Sequence, residues 1–394
     1  MQQRTSHPFL RCCWALIGSV LAATLLLADH ADAFCPVVIC PGFGNDSVDY
    51  STPLDQPEEV GLCSVLARRG FDPSQIYTVP VQRSDWIRVA GGLLDVPDFY
   101  LGTAKPTGFG YGWYLKRLKE TVDRAYSEQP LDGDSPPRKV LVIGHSAGGW
   151  LARAAMADGV WSSGDDSENG NGNGNGNGNG NGNGNESVRT SDRIRCLVTM
   201  GAIHKVPEKE STCVTRGALK YTDENYPGAF LKDEGIGYVS IGGSAIVGDE
   251  RKDDEKDNDG DDGDDDDDDN KIPELMGSEA DDYYKRRGEG NSNRVAFTSY
   301  KAVSGNGNLI GDGVVPLEWT QLEGSRTIVL PDVLHSINEA GTTFPTDRWY
   351  GSEKVIDRWL PVVLEEADLK QTASGLDFDF AGGLQKWASN LIGK

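Results

Sequence analysis

The chain has 394 residues, 38% of them hydrophobic and 25% charged, which is enough apolar material for a sizeable folded core. Its formal net charge is −23, of which the stretch from Asp249 to Asn270 carries −12 and the rest −11. An acidic surface repels phosphate backbones, which excludes nucleic-acid binding, and no repeat with a period of roughly 20–50 residues marks a solenoid.

In chain order, Arg4 and Arg11 precede an apolar run from Trp14 to Ala28, followed by Ala31-Asp32-Ala33. A basic region, an apolar region and small residues around one variable position describe a secretory signal peptide over residues 1–33. At about 15 residues the apolar run falls short of the roughly 20 that a spanning helix needs. The expected route is secretory, with a mature domain over 34–394. Phe34 directly after the small-residue site also matches the cleavage motif of two-part plastid presequences in algae with secondary plastids, the alternative destination. Of the seven cysteines, Cys35, Cys40, Cys63, Cys196 and Cys213 follow the leader. Their odd number allows at most two bridges, and Cys40 and Cys196 read as small buried hydrophobes.

Pro36–Cys40 is a short apolar run stopped by Pro41-Gly42-Phe43-Gly44, a buried strand feeding a tight loop. Glu58–Arg69 reads as a helix with Gly70 as its C-terminal cap, and Ile76–Val81 as the next strand. The stretch Asp95–Gly112, rich in glycine, proline and aromatics, reads either as substrate-facing or lid-like, or as an ordinary loop packed on the core. A helix over Tyr114–Tyr126 leads to Lys139–Ile143, a strand with no polar alternation, as expected when both faces are covered. A helix over Ala147–Ala157 and apolar runs at Ile194–Met200, Gly237–Ile241 and Thr327–Leu330 complete the pattern. Strands alternating with helices predict an α/β fold with a mainly parallel sheet covered on both faces. The Asn-Gly alternation over 169–185 and the Asp run over 249–270 have nothing to bury and are expected as disordered surface insertions within one domain. The Asp run lacks a glutamate at the closing position of a calcium loop.

Gly144-His145-Ser146-Ala147-Gly148 fits the G-x-S-x-G elbow, in which a serine projects from a strained strand-to-helix turn. The pattern alone arises by chance roughly 0.4 times in a chain of this composition. Its context, an apolar strand before and a helix after, singles out Ser146 as the nucleophile. A serine hydroxyl needs a base, and only five histidines exist. His7 and His30 belong to the leader, His145 adjoins the serine and should point into the fold, and His204 suits a structural or pocket-lining role. His335, after the last core strand, is the expected base. Asp312, in the Gly311–Pro316 loop 23 residues earlier, is the expected acid, with Asp332 the alternative. The order serine, acid, histidine is that of α/β-hydrolases. The backbone N–H groups of Ala147 and Phe43 are the expected oxyanion donors. Asn45-Asp46-Ser47 and Asn185-Glu186-Ser187 are glycosylation sequons, Asn185 being the better acceptor because a glycan on Asn45 would crowd the oxyanion loop.

These segments together, with Leu197–His204, resemble the serine lipases of the α/β-hydrolase superfamily. They are most similar in pattern to the branch holding GPI inositol-deacylase-like and small bacterial triacylglycerol lipases. The sequence departs from that pattern at Ile203, where proline is common. The resemblance implies an α/β-hydrolase fold and hydrolysis of lipid acyl esters, with transient contact to a lipid surface and neither metal nor organic cofactor. Acyl transfer to an alcohol would use the same three side chains, and a non-catalytic binding protein on this scaffold would need none of them.

Overall fold

The computed structural model describes residues 34–90, 98, 101–130, 136–157, 190–207, 214–250, 291–338 and 345–369. The expected leader, the insertion over 169–185 and the Asp run beyond Glu250 lie outside the described residues, as do Phe99, Tyr100, Asn185 and Cys213. Phe34–Asp368 clusters as one unit.

Its centre is a six-stranded sheet: β1 (Val37–Cys40), β2 (Ile76–Thr78), β3 (Val140–His145), β4 (Ile194–Met200), β5 (Gly237–Gly243) and β8 (Arg326–Leu330). The order is β2-β1-β3-β4-β5-β8, and every neighbouring pair is parallel. β3 is buried at all six positions, so its unbroken apolar run reflects a strand covered above and below. Two further short strands, β6 (Ile246–Val247) and β7 (Ile310–Gly311), pair antiparallel beside the main sheet.

The longer helices among the described residues are α1 (Leu62–Arg68), α2 (Gly112–Ser127), α3 (Ala147–Ala157), α4 (Ala218–Asn225), α5 (Asn291–Ser304) and α6 (Glu353–Glu366). In α2 the buried Tyr114, Leu115, Leu118, Val122 and Ala125 recur at three- and four-residue spacing, so one stripe faces inward. That stripe joins Trp150, Leu151 and Ala154 of α3, Leu219 of α4 and Val38, Val140, Val142 and Leu197 of the strands in one core. On the other face α1 and α6 are tied together by Arg69, which donates to both Asp357 carboxylate oxygens at 2.6 and 2.9 Å. This is the α/β-hydrolase fold expected from the sequence.

Two element boundaries differ from expectation. The Glu58–Arg69 helix is a 3-10 turn, Glu58–Val60, and then α1, because Gly61 between them is extended with φ −72° and ψ 148°. A Cβ at Gly61 would stand 2.1 Å from Ser51 O, so the chain is pressed against its neighbour there. The second strand ends at Thr78 rather than Val81, since Pro80 has no N–H to continue the ladder. Among the described residues, Cys35, Cys40, Cys63 and Cys196 are free thiols, with Cys40 and Cys196 buried as expected. Described residues include no helix long and apolar enough to cross a membrane.

The register sets where a site can form. Cys40 pairs with Gly144, His145 with Met200, and Gly243 with Leu330, so the strands end level with one another at their carboxyl edge. β1 leads outward to β2 while β3 leads the opposite way to β4, so the β1/β3 boundary is a topological switch point. In open α/β sheets ligands bind in the crevice beyond such a point.

Candidate active site

Ser146 follows β3 and precedes α3 at this switch point, with φ of +51°. The left-handed region is costly for a residue with a side chain, and it is kept here by packing on every side. Ser146 N–H donates to Met200 O at 2.8 Å. A Cβ on Gly148 would lie 2.2 Å from Cys40 O, and one on Gly144 would lie 2.4 Å from Gly149 Cα. Both elbow glycines are therefore demanded by close backbone approach. The turn raises Ser146 to a half-buried position at the sheet edge.

His335 reaches it from the segment after β8. His335 Nε2 lies 2.9 Å from Ser146 Oγ, and His335 Nδ1 lies 2.8 Å from Asp312 Oδ2. The three side chains chosen from the sequence thus meet in a single line. Asp312, 2% exposed, also accepts from Val314 N and Val315 N through Oδ1, and from the Tyr350 hydroxyl through Oδ2 at 2.8 Å. The acid loop is further held by Tyr300, whose hydroxyl accepts from Gly313 N and donates to Ile246 O. Asp332, the alternative acid, instead accepts from exposed Arg358 at 2.6 Å. Tyr350 and Tyr300 have no motif or spacing to flag them, and the sequence reading missed both.

The loop after β1 packs on the elbow: a Cβ on buried Gly42 would stand 2.9 Å from Ser146 Cβ. Phe43 N–H donates to no protein acceptor among the described residues. Ala147 opens α3, where the first N–H groups of a helix have no partner within it. Both expected oxyanion donors thus flank the serine. The Phe43 ring is 58% exposed and leans edge-on to Trp86 at 5.3 Å; Ile87, next in sequence to Trp86, is exposed as well.

Among the described residues the two remaining histidines, His145 and His204, are buried and neutral. His145 points into the fold, contacting the Tyr50 hydroxyl and His335 O at 2.9 and 3.0 Å, and burial pushes it down to about 3. His204 lies 3.0 Å from Thr199 Oγ1 through Nε2 and donates its main-chain N–H to Trp319 O. Burial, assisted by the nearby Arg153 charge, pushes it well below the ordinary histidine value. Within Asp95–Gly112, Leu101 and Phe109 are at least half exposed, whereas Tyr111 is buried edge-on to Trp150. The described part of the stretch therefore holds both exposed apolar side chains and one packed on the core. Asn45 Nδ2, the atom a glycan would take, donates to the Tyr50 hydroxyl at 3.1 Å.

No protein-family model and no curated protein matches the chain. Among solved structures it is similar to the lipase BlEst2 of Bacillus licheniformis in its mature form, at 10% identity and a TM-score of 0.39, over 84% of this chain and 92% of that one. A likeness at that level leaves the fold to rest on the sheet described above and the chemistry on the site.

Proposed function

We propose that the chain is a serine hydrolase that cleaves carboxylic esters through an acyl-enzyme. One observation carries the reading: Ser146 Oγ, on a strained elbow, is 2.9 Å from His335 Nε2, whose other nitrogen is 2.8 Å from the buried Asp312. An Nδ1–H donated to Asp312 leaves Nε2 bare, so it can take the serine proton as Oγ attacks the acyl carbon. The negative oxygen that forms accepts from the N–H groups of Ala147 and Phe43, donors worth about 3–4 kcal/mol each when deleted. Collapse expels the alcohol, which takes the proton from His335. Water then attacks the acyl-serine with His335 again as base, releasing the acid and restoring Ser146. No cofactor enters this sequence.

A lipid acyl substrate is the finer part of the proposal. It draws on exposed Phe43, Ile87, Leu101 and Phe109, on the Asp95–Gly112 stretch and on the lipase-like motif pattern. Entry into the secretory route, proposed from residues 1–33 alone, would deliver the chain to extracellular or endomembrane lipid.

The test labels the purified protein with a fluorophosphonate and follows p-nitrophenyl esters of increasing chain length, with an alcohol acceptor in a parallel arm. Labelling and turnover should both vanish in Ser146→Ala, with an optimum at longer acyl chains. An optimum at acetate would replace lipase by esterase, and ester formation with the alcohol would replace hydrolase by acyltransferase. A folded wild type that neither labels nor turns over would sink the enzyme reading.

A further inference from the structure

The buried pair Tyr50–His145 is outside the three reacting side chains, yet it touches the main chain of the base and of the oxyanion loop. His335 O is a carbonyl and can only accept, so His145 Nε2, 3.0 Å away, carries the proton. Burial keeps the ring neutral, which leaves Nδ1 bare. The Tyr50 hydroxyl, 2.9 Å from Nδ1, therefore donates to it and accepts from Gly42 N at 3.0 Å and Asn45 Nδ2 at 3.1 Å. Every donor and acceptor is matched, and the chain of bonds has a single direction.

Both ends of this chain sit on backbone whose position matters for the proposed reaction. At one end Gly42 is held twice: its N–H by Tyr50, its C=O by Asn45 N at 3.1 Å. In a planar trans peptide the C=O and the following N–H point opposite ways, so fixing Gly42 O toward Asn45 aims Phe43 N–H the other way. At the other end His335 is also held twice, its C=O by His145 and its N–H by Asp312 O at 2.9 Å. Tyr50 itself is fully buried at the end of a 3-10 turn, Ser47–Tyr50, whose start is closed by reciprocal Asp46 and Asp49 bonds.

We propose that Tyr50 and His145 are positioning residues, forming a buried strut that sets the spacing between the oxyanion donor at Phe43 and the base His335. The proposal rests on the hydrolase reading above. The strut makes no hydrogen bond to the reacting atoms, although the His145 ring lies tilted against the His335 ring with centroids 5.0 Å apart. It fixes the two groups that must act together on one tetrahedral centre, so loosening it should weaken transition-state binding more than substrate binding.

The experiment compares wild type with Tyr50→Phe, which removes only the hydroxyl, and with His145→Gln and His145→Phe. Fluorophosphonate titration counts competent sites, so that kcat on p-nitrophenyl butyrate is expressed per site. In Tyr50→Phe the per-site kcat should fall about ten- to a hundredfold with KM within about twofold, the scale of a displaced donor. Affinity for a trifluoromethyl ketone, which forms the tetrahedral anion, should fall by the same factor. His145→Gln, which retains a side-chain N–H for His335 O, should lie between wild type and His145→Phe. A Tyr50→Phe protein with lower melting temperature and fewer competent sites, but unchanged per-site kcat and ketone affinity, would reduce the strut to a folding element and overturn the proposal. Silence of folded wild type in titration and turnover would instead bring down the hydrolase reading, and the strut with it.

Discussion

Four donors converge on the Asp312 carboxylate: two main-chain N–H groups on Oδ1, and the Tyr350 hydroxyl with His335 on Oδ2. A carboxylate offers about four acceptor sites, so the group is saturated and locked in rotation. Asp312→Asn keeps the shape but replaces one acceptor oxygen by an amide NH2, itself a donor, that must face a donor. The imidazole then loses its preferred tautomer, and kcat should fall by about 10⁴-fold with the fold intact. Asp332→Asn removes only an exposed pair with Arg358, worth about 1 kcal/mol at most, and should leave kcat within about twofold. Per-site kcat of both variants checks the assignment, and reversed effects would move the acid to Asp332. Ser146, Asp312 and His335 were legible because a glycine-framed elbow, a glycine-framed acid loop and a shortage of histidines narrow the choice. Tyr350 was not, since it lies 38 residues beyond Asp312 and a tyrosine hydroxyl leaves no spacing signal.

At the scale of elements, the end of β4 matters as much as the elbow. Gly201 has φ of +58°, and a Cβ there would lie 2.7 Å from Asp312 Oδ2 and 2.9 Å from His335 Nδ1. The acid–base contact therefore forms directly over a residue that has no side chain. Gly201→Ala should wedge that contact open and strain the turn by about 1 kcal/mol or more. We expect kcat to fall about a hundredfold or more while the melting temperature drops only modestly, read by ester turnover beside thermal unfolding. Near-normal turnover in a folded G201A would mean that the contact can shift aside without loss. The strands were legible because burial on both faces erases polar alternation and leaves plain apolar runs. The pair β6/β7, two residues each, is shorter than any periodicity. In α6 the stripe Val355, Ile356, Trp359, Leu360, Val363 and Leu364 carries a helical period, but interior Pro361 reads as a helix stop. Packing holds that helix through the proline.

For the whole molecule, the charge that dominates the composition bears on stability less than two uncharged histidines do. Between pH 7 and 5 the carboxylates, with ordinary values near 4, stay about nine-tenths ionised, so most of the −23 net charge persists. His145 and His204 behave differently, because burial holds both well below the ordinary value of 6.5 in the folded state. The unfolded chain therefore binds protons that the folded chain refuses. Their stabilisation is complete above about pH 6.5 and is lost as the pH falls toward 3, the window set by the lowered folded-state value of His145. By linkage His145 should cost about 2 kcal/mol between pH 7 and 5, a large share of a typical stability, and His204 adds a loss of the same sign. Urea unfolding at the two pH values should show this loss, and replacing both histidines by glutamine should flatten the dependence. The wild type should also take up protons on unfolding at pH 5. A slope that survives in the double variant would place the acid sensitivity on other groups, and the buried histidines would then be bystanders to it.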